Sequence, residues 1–124
     1  MRRERLFLQD IVLAADAIAE FTRGQDLDSF EADRMLRSAV VHQLTIIGEA
    51  AAKVPAEVQR RHPDLPWATM RGIRNRLVHG YFAVDMSILV ATARLDLPPL
   101  IPRLRHLVAA EAGQPDEPGR RSGP

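Results

Sequence analysis

The chain is 124 residues long, enough for a single hydrophobic core, and carries a formal net charge of +1. It has no cysteine, which excludes disulfides, thiolate metal sites and cysteine nucleophiles and fits a reducing compartment. So even a charge balance does not announce nucleic-acid binding, and with Lys53 the only lysine, any argument about phosphate rests on where the arginines stand.

In Met1 to Leu8 basic residues precede apolar ones, but Gln9, Asp10 and Asp16 interrupt what would have to be a signal core. No apolar run approaches the roughly 20 residues of a membrane helix. A cytoplasmic location with no membrane partner is expected. A domain this small gains from burying surface against a second copy, so a homodimer is expected as well.

From Arg3 to about Arg23, Leu6, Ile11, Ala14, Ala15, Ile18 and Phe21 recur at helical spacing, and Gly24 marks the end. Asp28-Ser29 offers a cap before Phe30. A second long helix is predicted from near Asp33 to about Val54, with Leu36, Val40, Leu44, Ile47 and Ala51 as its apolar stripe, stopping before Pro55. Within it, Gly48 beside Ala50 and Ala51 would let another helix approach closely. Glu49 sits among small and apolar residues, where a carboxylate wants a partner such as Arg71 or Arg74.

Pro55 to Arg61 reads as a short helix with proline in its first turn, and His62-Pro63 and Leu65-Pro66 force a connector. Trp67 to Val78 reads as helix again, with Met70, Ile73 and Leu77 on one side and Gly80 as a terminator. Asp85 then caps a helix to about Arg94, and Leu97-Pro98-Pro99 restarts the last one, which runs to about Ala112. The C-terminal residues set Glu111, Asp116 and Glu117 against Arg120 and Arg121. Residues 1–112 are thus expected to form one all-α domain, two long antiparallel helices with shorter ones packed on them, and 113–124 a disordered Pro/Gly-rich tail.

The chemistry concentrates in Arg74-Asn75-Arg76-Leu77-Val78-His79-Gly80-Tyr81. Arginine brings a fixed fork of donors for phosphate, histidine moves a proton near neutral pH, and tyrosine carries a hydroxyl that can be modified. On one continuous helix Asn75 would lie beneath His79 and could orient its ring, whereas Arg74, five residues back, is turned by roughly 140°. Convergence of Arg74 with His79 then needs a swing at Gly80 or a second copy of the motif across a dimer. Each residue also has a structural use: a solvated or ion-paired arginine, a histidine on helix-end carbonyls, a packed tyrosine. Spacing alone leaves the two readings evenly matched. His42, His62 and His106 show neither His-x-x-x-His nor Glu-x-x-His spacing, so no metal site is expected, and there is no Gly-rich nucleotide loop.

Arg74-x-x-x-x-His79-x-Tyr81 resembles the Arg-x4-His-x-Tyr pattern of the HepT-type toxins in the HEPN superfamily. The likeness extends to Phe21-Thr22-Arg23-Gly24, Ile46-Ile47-Gly48-Glu49-Ala50, Pro66-Trp67, Val84-Asp85 and Asp96-Leu97-Pro98. It implies a HEPN-like helical homodimer that cleaves RNA without metal or cofactor as the toxin of a type VII toxin-antitoxin pair, partnered by an MNT-type nucleotidyltransferase antitoxin. It further implies Arg74 and His79 as the catalytic pair, with Asn75, Glu49 and Arg71 in support and Tyr81 as the site of adenylylation. The alternative is a non-catalytic nucleotide-binding or scaffolding subunit of a nucleotidyltransferase complex.

Overall fold

The structure, a computed structural model, describes residues 2–79 and 83–113. Helix α1 spans Arg2–Thr22. Its buried row is Leu8, Ile11, Ala15 and Ile18, with Ala14 beside them, a three- and four-residue rhythm that places them on one face. Ile11, Ala14, Ala15 and Ile18 are buried as their spacing suggests, but the two ends of the expected stripe are not, Leu6 being 50% and Phe21 39% exposed. Leu6 lies five residues before Ile11 and is therefore turned roughly 140° from it. Thr22 ends the buried row, its hydroxyl donating to the Ile18 carbonyl at 2.7 Å. Gly24 follows at a φ of 75°, the left-handed conformation that turns the chain out of the helix.

The cap of α2 (Leu27–Ala32) is Asp26 rather than Asp28: its carboxylate accepts from the Ser29 backbone N–H at 2.9 Å and from the Ser29 hydroxyl at 3.0 Å. Asp28 occupies the first turn, where its charge complements the helix dipole. Phe30 is fully buried. Arg37 ties this short helix to the next by donating to the Phe30 carbonyl at 2.8 Å and the Glu31 carbonyl at 2.6 Å. Helix α3, Arg34–Lys53, begins where the sequence suggests, with Asp33 accepting from the Leu36 N–H at 3.0 Å. Val40, Leu44, Ile47 and Ala51 are all buried.

α1 and α3 are the two long antiparallel helices of an all-α bundle, and they pack along each other more extensively than any other pair. α4 (Ala56–Arg61) starts directly after Pro55. α5 (Trp67–Arg71) and α6 (Ile73–Leu77) then replace the single helix expected over Trp67 to Val78. The break is at Gly72, whose N–H reaches the carbonyls of Ala68 and Met70, and glycine is the residue that least resists such a break. Met70, Ile73 and Leu77 are nevertheless all buried, as their spacing suggests.

A two-residue ladder, β1 (Val78–His79) against β2 (Ala83–Val84), interrupts an otherwise helical chain. Asp85 caps α7 (Met86–Ala91), which continues into a π-helical turn over Thr92–Asp96. Pro98 and Pro99 lead into α8, Leu100–Ala112. Ile101, Leu104 and Leu107 of α8 join one core with Leu89, Ala93 and Leu97 and the buried faces of α1 and α3. Glu111, which the sequence groups with the tail charges, is a buried member of α8, 7% exposed. The expected tail beyond Gly113 lies outside the described residues. Among those described, no helix is long and apolar enough to cross a membrane.

Candidate active site

The motif segment is held in place by the close approach that Gly48 permits. A Cβ at Gly48 would stand 3.2 Å from the Met70 carbonyl oxygen and 3.4 Å from Ile73 Cγ2, so the junction of α5 and α6 rides directly on α3. This agrees with the approach foreseen beside Ala50 and Ala51. Arg74 and Asn75 stand on α6, one and two residues past Ile73.

The helix ends at Leu77, two residues short of His79. Past that point the backbone hydrogen bonds run across a hairpin: Val78 pairs with Val84, His79 with Ala83, and the Asp85 N–H donates to the Leu77 carbonyl at 2.8 Å. His79 therefore belongs to β1, and the i, i+4 stacking of Asn75 beneath it does not arise. The helical-wheel angle separating Arg74 from His79 likewise ceases to apply. Tyr81, the expected modification site, lies with Gly80 and Phe82 outside the described residues.

Glu49 is exposed, against the expectation of a carboxylate set in an apolar environment. It follows Ile47 by two residues, roughly 200° around the helix, and so points away from the buried row. Arg71 does not partner it. The Arg71 Nη1 donates to Gln59 Oε1 at 2.8 Å, and no ion pair involving Glu49 occurs among the described residues.

The structure does bring the expected supporting residues together. Glu49, Arg71 and Asn75 line one groove of about 240 Å³ with Thr45, Gly48 and Ala52. On the other side of Glu49, a second hollow of about 350 Å³ runs between α1 and α3, lined by Phe7, Asp10, Ile46, Ala50 and Lys53. There the Lys53 ammonium stands 5.6 Å from the centre of the Phe7 ring, a cation–π distance. Glu49 is the ridge between the two.

Gln59 is the residue that sequence reasoning missed. Its Nε2 donates to the Val54 carbonyl at 2.9 Å and reaches the Ala51 carbonyl at 3.5 Å, satisfying the open C-terminal end of α3 while its Oε1 holds Arg71. No local signal in the sequence pairs residues 59 and 71.

The shifted ionisations lie away from this groove. Hydrogen bonds from Arg61, and then from His62, hold the Glu111 carboxyl below its ordinary range, and the same contact raises the Arg61 guanidinium. His42 and His106 are exposed, and among the described residues no group of three or more His, Cys, Asp or Glu side chains is arranged to hold a metal ion.

A family model described as ribonuclease HepT-like matches residues 11–107. The chain belongs to the HepT-like ribonuclease family. The match takes in every residue of the groove and the whole motif, and it stops short of the tail. A probable ribonuclease HepT of Thermococcus cleftensis is 39% identical over 99 residues, covering 80% of this chain and 90% of its own length. A putative RNase of Methanocaldococcus jannaschii is 37% identical over 97 residues, covering 78% and 89%. A putative RNase of Caldanaerobacter subterraneus is 31% identical over 111 residues, covering 90% and 99%. No solved structure gives a significant match.

Proposed function

We propose that this HepT-like chain is the toxin of a toxin-antitoxin pair and acts in the cytoplasm, as a homodimer, as a metal-independent endoribonuclease. The observation that carries the reading is the intact Arg74-x-x-x-x-His79-x-Tyr81 motif inside the span matched by the ribonuclease family model. Relatives named as a probable and a putative ribonuclease match 80% and 78% of this chain, which supports an RNA substrate for it.

In the proposed reaction the ribose 2′-hydroxyl attacks the adjacent phosphorus, expels the 5′-oxygen and leaves a 2′,3′-cyclic phosphate. His79 takes the proton from the 2′-hydroxyl and returns it to the leaving oxygen, a task suited to a side chain whose unperturbed pKa is about 6.5. Arg74 stabilises the charge that builds on the phosphorane oxygens, an effect of order 10²–10³-fold for one well-placed donor. Asn75 and Glu49 act in support at the groove wall.

The proposed partner is an MNT-type nucleotidyltransferase antitoxin. It would transfer AMP from ATP to the Tyr81 phenol: the phenolic oxygen bonds to the α-phosphorus, pyrophosphate leaves and the proton passes to solvent. The added phosphate would place negative charge and bulk beside Arg74, competing with RNA for it.

The test is cleavage of end-labelled RNA in EDTA by protein shown to be unmodified by intact mass, wild type against His79→Ala and Arg74→Ala. Cyclic-phosphate ends that both variants lose support the reading. Absence of cleavage, or equal cleavage by all three, overturns it in favour of a binding subunit.

A further inference from the structure

We infer that the groove between α3 and the α5–α6 segment is an RNA-strand subsite, in which Arg71, aimed by Gln59, takes a backbone phosphate next to the one cleaved. The inference rests on the ribonuclease reading and adds to it a contact outside the motif.

Arg71 differs in its partner from the arginines that form ion pairs among the described residues. Arg61 is bound to Glu111 and Glu57, Arg103 to Asp64, and Arg105 to Asp16, so each already faces a carboxylate. Arg71 is held instead by a neutral amide. Such a partner fixes the guanidinium without cancelling its charge.

Gln59 suits that role because its own orientation is fixed. Both of its donor contacts go to carbonyls at the end of α3, Val54 and Ala51, which turns Oε1 toward Arg71. The guanidinium has five N–H donors in a rigid plane, and one hydrogen bond to Gln59 leaves the fork open to an anion. Arg71 is exposed and stands at the wall of the groove. Its place in the chain is also apt: it closes α5 just before the Gly72 break, three residues ahead of Arg74 on α6.

The remaining lining sets the direction of the strand. Ala52 is exposed and small, so a strand can lie close to α3 on that side of the groove. The Thr45 hydroxyl donates to the Val41 carbonyl at 2.9 Å, which leaves its oxygen as an acceptor. Glu49, ionised, also only accepts. Acceptors on that wall repel a phosphate and receive the hydroxyl or amino groups of a nucleoside. The phosphate goes to Arg71 and the sugar or base edge to Glu49.

The experiment is equilibrium binding of a 2′-O-methylated single-stranded RNA, which cannot form the cyclic phosphate, across a salt series. Wild type is compared with Arg71→Gln, Arg71→Lys and Gln59→Ala, and unmodified RNA is offered in parallel for cleavage. Arg71→Gln is expected to weaken binding about tenfold at low salt and to reduce the slope of log K against log salt by about 0.7, the value for one phosphate contact on a single strand. Arg71→Lys should restore the slope but not the affinity, because it keeps the charge and loses the fork. Gln59→Ala should weaken binding with the slope intact, the signature of a positioning residue. Wild-type slope and affinity in Arg71→Gln overturn the subsite, and if wild type still cleaves RNA they leave the ribonuclease reading standing. Arg71-dependent binding without any cleavage by wild type does the reverse.

Discussion

Glu111 and Arg61 meet across fifty residues of sequence, the Arg61 Nε donating to Glu111 Oε2 at 3.1 Å while its Nη2 donates to Oε1. His62 Nε2 lies 2.8 Å from the same Oε2, and the His62 carbonyl accepts from Trp67 Nε1 at 2.9 Å. One carboxylate on α8 thus fixes the end of α4 and, through His62, the start of α5. Glu111→Ala is expected to cost about 1–3 kcal/mol. The lower part of that range applies because the Arg61 side chain is 33% exposed and keeps Glu57 as a partner. Denaturant titration of wild type and variant measures the difference, and indistinguishable midpoints would remove the cluster from any account of stability.

The same cluster predicts an acid-side dependence. The Glu111 carboxyl is held below its ordinary value of 4.5, chiefly by the hydrogen bonds from Arg61. A carboxylate depressed in the folded state contributes stability that is present above its unfolded pKa and lost as pH falls through the folded one. The melting temperatures of wild type and Glu111→Gln should therefore differ most near neutrality and converge as the pH drops below about 4.5. A gap that stays constant down to pH 3 would mean that the charge of Glu111 is irrelevant to folding.

What the sequence made legible was local. Asp33 and Asp85 as caps, Pro55 as a stop and Gly24 as an exit each act within one turn of backbone, and the structure uses all of them as read. The misreadings required knowledge of the neighbours. Leu6 and Phe21 fit a helical period as well as Leu8 and Thr22 do, and only the packing of α3 and α8 against α1 chooses between them. Glu49 looked buried because Ile46, Ile47 and Gly48 flank it, yet chain neighbours on a helix point in different directions. In the site, the motif was plain as a string of residue types. That Gly72 breaks its helix, that His79 sits on a strand, and that Gln59 reaches Arg71 depend on contacts with α3 and β2, which no spacing rule encodes.

Gly48 gives a prediction linking packing to the site. A valine there would drive its branched Cβ substituents into the Met70 carbonyl, 3.2 Å from the position of the Cβ itself, and backbone cannot move aside as a flexible side chain can. Gly48→Val should destabilise the fold by about 1–3 kcal/mol through overpacking and shift α6 away from α3. Calorimetry reads the first effect, and RNA cleavage well below the melting temperature reads the second. Unchanged stability would show that the α5–α6 junction yields freely, and that Gly48 does not set the position of Arg74.

Asp85 closes the motif hairpin and opens the next helix at once. Its side chain accepts from the Ile88 N–H at 3.1 Å as the cap of α7, while its backbone N–H holds the Leu77 carbonyl at 2.8 Å, where α6 ends. Asp85→Ala removes the cap and keeps the backbone bond, with an expected loss of about 1 kcal/mol. Asp85→Asn, which retains an acceptor, should recover most of it. Because both hydrogen bonds meet at one residue, fraying of α7 should also loosen the β1–β2 ladder that carries His79. Amide exchange should therefore quicken at Leu89 and at the ladder residues together in Asp85→Ala, with α1 and α3 unaffected. Faster exchange confined to α7 would separate the hairpin from its cap and leave β1–β2 held by its own pairing.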